Sequence, residues 1–224
     1  MRRKLEKLLP SYAWLPLLIT FAINMAVYYC TLLFGDGLYH HDITSRLDEA
    51  IPFLPGFVYI YVLAFAHWLI GYCTICREDR AFCYRMLSGE IIAKLICLVI
   101  FLAYPTTNVR PEVTAGGFTG WLMSLIYSVD KPVNLFPSIH CLDCWVCARG
   151  ALAAKRPPKW FKIGMLSFAL LVFCSVLFVK QHVLIDVPAG VLVAEVGQLA
   201  ARKLDTGRVF ARLEPPFARE SGQL

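Results

Sequence analysis

Charge is scarce in this chain. Only 17% of its 224 residues are Asp, Glu, Lys or Arg, against roughly 25% in soluble globular proteins. That shortage excludes the ordinary soluble globule, which needs a well-charged surface. Disulfide architecture is lacking too. The nine cysteines lie mostly inside apolar runs, whereas an extracellular framework places them in polar loops. The Cys73-x-x-Cys76 pair, with Cys83 after it, has metal-ligand spacing. No histidine is near, however, and Cys73 falls within a hydrophobic run, so small apolar filler is the expected role. Cys141, Cys144 and Cys147 recur every third residue and read as a packing stripe on a helix. No internal repeat is evident.

What the chain does have is hydrocarbon. Hydrophobic residues make up 58% and the mean hydropathy is +0.59. Long apolar runs separated by short charged clusters predict an all-α, polytopic membrane protein. The runs fall at about 13–34, 52–76, 90–104, 139–154, 163–179 and 186–201. The first is too long for a signal-peptide core and no small-residue cleavage site follows, so it reads as a retained spanning helix. Glu90 and Lys94 form an i,i+4 pair in the third run, where Lys94 is expected to snorkel toward the interface. The long interruption at 105–137 holds an apolar patch at 121–127, too short to span, which predicts an interfacial or re-entrant helix.

Six spans would put both termini on one side. Of the 22 basic residues, 17 flank one set of span ends, and the opposite set has only Arg46, Arg110, Lys131 and Lys180. The positive-inside rule then makes the termini cytoplasmic. The net charge of +6 is accounted for as topology, and no nucleic-acid partner is expected. The chain reads as a single integral-membrane domain over 1–224, with a functional core at about 88–200 and a basic cytoplasmic tail at 202–224. The partner it requires is the bilayer.

The same topology gathers three sequence-distant pieces on the non-cytoplasmic face. They carry Arg110, Lys131, Ser138, His140, Lys180, His182 and Asp186. His182 and Asp186 are four apart, a spacing that places both on one face if the stretch is helical. Pro188 argues that the helix begins only near Asp186. A carboxylate-oriented imidazole suits nucleophilic attack, a second imidazole suits proton transfer, and fixed cations suit the charge of a phosphoryl group. No carboxylate cluster lies on this face to hold a divalent metal, so no metal or cofactor is expected.

Phe136-Pro137-Ser138-Ile139-His140 and His182-Val183-Leu184-Ile185-Asp186-Val187 resemble the second and third motifs of the type 2 phosphatidic acid phosphatase superfamily. Arg110-Pro111 matches the end of its first motif. Ala103 stands where that motif has lysine, Ile139 where the second has glycine, and Val176 where the third has arginine. The arginine-less third motif is more similar to the sphingomyelin-synthase and inositol-phosphoceramide-synthase-like branches. The resemblance implies six helices and a metal-independent phosphohistidine mechanism on a lipid phosphate, by hydrolysis or by transfer to an alcohol. It implies His182 as nucleophile, Asp186 as its orienting partner, His140 as general acid, and Arg110 and Ser138 as phosphate ligands. Lys180 and Lys131 are the candidate replacements for the missing cations, with Asn108 and Thr107 as further hydrogen-bonding groups. Asp143, one turn after His140, is expected to cap or orient its helix, and Glu195 to have a structural pairing. A transporter could also use Glu195, Lys94 and His67, although the polar residues gather at one face rather than along a midplane path. A catalytically inactive relative is the third reading, against which stand the retained His140, His182 and Asp186.

Overall fold

The computed structural model describes residues 9–35 and 37–214. Residues 1–8, 36 and 215–224 lie outside them, and with them Arg2, Arg3, Lys4, Lys7 and Arg219 of the charge map. Helix α1 runs over Trp14–Gly35, after a single 3-10 turn at Ser11–Ala13. A short polar stretch follows, with strand β1 (His41–Asp42), helix α2 (Arg46–Ala50) and a 3-10 turn at Pro55–Phe57. Helices α3 (Val58–Glu78) and α4 (Arg80–Ala103) form a hairpin. Asp79 divides them: its extended backbone breaks α3, and its carboxylate accepts the Phe82 N–H to cap α4. Strand β2 (Thr106–Thr107) pairs in parallel with β1, His41 opposite Thr106, and ties the polar stretch to the end of α4.

The apolar patch at 121–127 is the heart of a helix, α5 (Gly117–Val129), too short to cross a bilayer. Helices α6 (Ile139–Ala153), α7 (Lys159–Phe178) and α8 (Asp186–Leu204) complete the bundle, and α9 (Gly207–Leu213) packs back on α4. Four segments are long and apolar enough to cross a membrane: Ser11–Thr31, Pro55–Glu78, Arg80–Ala103 and Lys159–Phe178. Their outer faces carry exposed large hydrophobics such as Leu18, Phe21, Leu69, Val99 and Leu171. A continuous apolar exterior of this kind suits lipid rather than water.

Helix α6 lies at the centre, against α3, α4, α7 and α8. Its 15 residues reach about 22 Å at 1.5 Å per residue, short of a bilayer's hydrocarbon. Protein rather than lipid surrounds most of it, so Asp143 is tolerated there. The broadest interface joins α4 and α8. Gly197 allows it: a Cβ there would sit 2.3 Å from the Gly89 carbonyl oxygen.

Lys94 does not snorkel. It is fully buried, and its ammonium binds Asp143 (2.6 Å) and the Asn24 Oδ1 (2.8 Å) rather than Glu90. A carboxylate at the same depth is a far better partner than a distant headgroup layer. Glu90 instead accepts the Tyr72 hydroxyl. Glu195 pairs with Arg149 Nε at 2.7 Å and accepts the Trp145 indole N–H at 2.8 Å.

Candidate active site

Helix α7 ends at Phe178, and the chain reverses through a tight turn before α8 begins at Asp186. Lys180 makes the reversal in the left-handed region, with φ of 54°. The Val176 carbonyl accepts the N–H groups of both Gln181 and His182. His182 is therefore in a turn, not on a helix with Asp186. The pair meets all the same: His182 Nδ1 lies 3.1 Å from Asp186 Oδ2, which also accepts the Val183 N–H at 3.0 Å. Asp186 is fully buried. A carboxylate only accepts, so Nδ1 carries the proton and the Nε2 lone pair is left for chemistry.

His140 reaches the same place from the first turn of α6. Its ring centroid is 5.8 Å from that of His182, at 63°. Tyr61 and Trp68 of α3 flank it at 4.6 and 5.4 Å. No described residue hydrogen-bonds to the His140 ring, which leaves both its nitrogens for a ligand. Ser138 is the N-cap of α6: its hydroxyl accepts the Cys141 N–H, and its own N–H donates to the Asp186 carbonyl at 3.2 Å. Gly190 permits that approach, since a Cβ there would lie 2.4 Å from the Ser138 carbonyl oxygen. Ile139 is the first residue of α6.

Arg110 is held on three sides. One Nη donates to the Asp130 carbonyl at 2.5 Å, the other to the Gln181 side-chain oxygen, and the guanidinium lies 4.8 Å from the Tyr127 ring centroid. Burial pulls its pKa down, against the opposing influence of Asp130, Tyr127 and Tyr61. Its Nε has no partner among the described residues. Burial pushes the Tyr127 phenol up to about 12, with Arg110 opposing, so the hydroxyl remains a donor, here to the Val179 carbonyl.

Lys180 points away from this cluster. Its amine donates to the carbonyls of Asp48 and Ile51 at 2.7 and 2.6 Å. Burial lowers its pKa, and Asp48 opposes the shift. Asn108 donates to the Lys180 carbonyl and Thr107 to the Pro132 carbonyl, so both brace loops. Lys131 is exposed at the rim. Val176 is buried in the core, where its backbone shapes the turn.

Two cavities meet at His182 and Arg110, which line both. The first, about 350 Å³, also contains His140 and Asp143, and its apolar wall includes Tyr29, Phe65 and Trp68. Tyr29 and Phe65 are more than half exposed, so this chamber opens on the apolar exterior. The second, about 620 Å³, is more polar than the first and includes Asp42, Glu49, Asn108 and Lys180, but not His140.

Several structuring residues carry no motif. Asp48 accepts the Leu184 N–H at 2.6 Å and the Ser45 N–H and hydroxyl, fastening α2 to the His182 turn. Gln181 and Asp130 hold Arg110. Ser45-x-x-Asp48 is a local capping signal, but the contacts to Leu184 and Arg110 join distant loops that only the tertiary fold brings together. Cys76 and Cys83 approach to 3.3 Å between sulfurs, and no group of three or more His, Cys, Asp or Glu residues suited to a metal occurs among the described residues. Compared with protein-family models, curated proteins and solved structures, the chain matches none.

Proposed function

We propose that this protein is a membrane-embedded, metal-independent phosphatase acting on a lipid phosphate through a phosphohistidine intermediate. The observation that carries the reading is the His182–Asp186 pair facing His140 and Arg110 at the head of a chamber open to the apolar exterior. The lipid tail lies against Tyr29, Phe65 and Trp68, and the phosphoryl group sits between His182 and Arg110. His182 Nε2 attacks phosphorus as the bond to the lipid oxygen breaks, and His140 donates a proton to that oxygen. In the second half-reaction His140 takes a proton from water, which displaces His182 and releases phosphate. Asp186 stabilises the charge that His182 acquires, and Arg110 that of the phosphoryl oxygens. Helices α6 and α8 complete six crossings with both termini cytoplasmic, and the site faces the other side.

Transfer to an alcohol is the second reading, and the larger, more polar of the two chambers favours it. About 620 Å³ is far more than a bare phosphoryl group fills, which suits phosphorus carrying a polar headgroup. Both readings share the first half-reaction. The test is purified full-length protein assayed for phosphate release from lipid phosphates with chelator present, alongside transfer to an added lipid alcohol. His182→Ala is expected to lose activity by about a thousandfold or more, with an acid-labile phosphoryl label absent from the variant. Full activity in that variant would sink the mechanism.

A further inference from the structure

The apolar chamber has a polar floor that the phosphoryl chemistry does not use. Asn24 of α1 and Asp143 of α6 both line it, and between them lies the ammonium of Lys94, itself fully buried. Lysine offers only donors, so its contact with Asn24 must be to the amide oxygen. That fixes the orientation of the amide and leaves the two Nδ2 protons for the chamber. No described residue accepts from them. Asp143, paired with Lys94, presents an acceptor beside them.

Asp143 follows His140 by one turn of α6, about 4.5 Å farther along the helix axis. A molecule with its phosphoryl group at the histidines thus meets a donor and an acceptor a few bonds farther into the bundle. Plain hydrocarbon there would strip water from Asn24 without replacing its hydrogen bonds.

We propose that Asn24, Lys94 and Asp143 form a subsite for the backbone of the lipid: Asn24 Nδ2 donates to an ester or amide carbonyl, and Asp143 accepts from a neighbouring hydroxyl. The proposal rests on the lipid-phosphate reading above. Acylglycerol and acylated sphingoid phosphates carry such groups close to phosphorus, and alkyl phosphates do not. Lys94 holds the amide and the carboxylate in place and need not touch the lipid.

The experiment uses the full-length protein in mixed micelles with chelator and three probes: 1-palmitoyl lysophosphatidic acid, ceramide 1-phosphate and hexadecyl phosphate. The wild type is expected to favour at least one carbonyl-bearing lipid over hexadecyl phosphate by about ten- to a hundredfold in kcat/KM. Which of the two is favoured distinguishes an ester-bearing from an amide-bearing backbone. Asn24→Leu is expected to abolish that preference while leaving hexadecyl phosphate turnover unchanged, and Asn24→Gln to restore part of it. Equal turnover of all three lipids by the wild type, or a parallel fall on all three in Asn24→Leu, overturns the subsite and leaves the phosphatase reading standing. If no lipid releases phosphate, the unfolding midpoint decides. A larger rise with the carbonyl-bearing lipids, lost in Asn24→Leu, keeps the subsite and removes the phosphatase reading; no difference removes both.

Discussion

At the scale of single residues, the proposed nucleophile depends on one contact. His182 is useful as a nucleophile only if Nδ1 keeps its proton, and the buried Asp186 carboxylate at 3.1 Å ensures that. Asp186→Asn presents an amide that can offer Nδ1 a donor, turning the imidazole to the wrong tautomer. A fall of roughly a hundredfold or more in kcat is expected with little change in KM. His140→Gln removes the proton donor and not the nucleophile, so activity should fall by about 10²–10⁴ on alkyl phosphates. A leaving group of low pKa, such as p-nitrophenol, needs no proton and should be largely spared. An equal loss on both kinds of substrate would count against His140 as the general acid. Lys180 shows how misleading a flanking charge is: its amine is spent on two carbonyls, leaving Arg110 as the cation that lines both cavities together with His182.

At the scale of elements, the proposed active centre is a turn gripped from two sides. From one side α6 presses in, and Gly190 of α8 has no room for a Cβ against the Ser138 carbonyl. Gly190→Ala should therefore push the start of α6, and His140 with it, away from His182. The expectation is a stability loss of about 1–3 kcal/mol, with activity lost well below the unfolding midpoint. Retained full activity would show that the approach is not needed.

From the other side Asp48 clamps the turn through Leu184. Burial opposes ionisation of Asp48, but hydrogen bonds from Ser45 and Leu184 and the charge of Lys180 outweigh it, so its pKa is held below the ordinary 3.8. A depressed carboxylate pKa stabilises the fold fully above the unfolded value and ceases to do so as pH falls through the folded one. Asp48→Asn should lower the unfolding midpoint near neutral pH, and the gap from wild type should narrow below pH 3.8. A gap that stays constant into that range would show that the charge contributes nothing.

At the scale of the whole molecule, the bundle exposes its hydrocarbon and joins its charged groups in pairs between helices, Lys94–Asp143 buried and Glu195–Arg149 partly exposed. The pairs Lys94–Asp143 and Glu195–Arg149 join residues 49 and 46 apart. The six crossings proposed above require both ends on one side. Epitope tags at the two termini should then be cleaved together by protease applied to one face of sealed vesicles, and protected together from the other. Cleavage of one alone would remove the even number of crossings on which the placement of the site depends.

Much of this was legible in the chain itself. Composition and apolar run length call for a membrane-spanning helical bundle, because no other backbone arrangement of such runs satisfies its hydrogen bonds in lipid. Pro188 marks the start of α8, and the spacing of His182 and Asp186 marks two side chains that meet, because both signals are local. Only the folded chain decided the rest. The i,i+4 spacing alone points to a shared helix face and Pro188 argues against it; the pair meets across a turn closed by Val176 and Asp48. The partners of Lys94, Arg110 and Lys180 are set by which loops and helices arrive beside them. A long cationic side chain reaches any acceptor within several ångströms, so its destination depends on tertiary packing that no local pattern encodes.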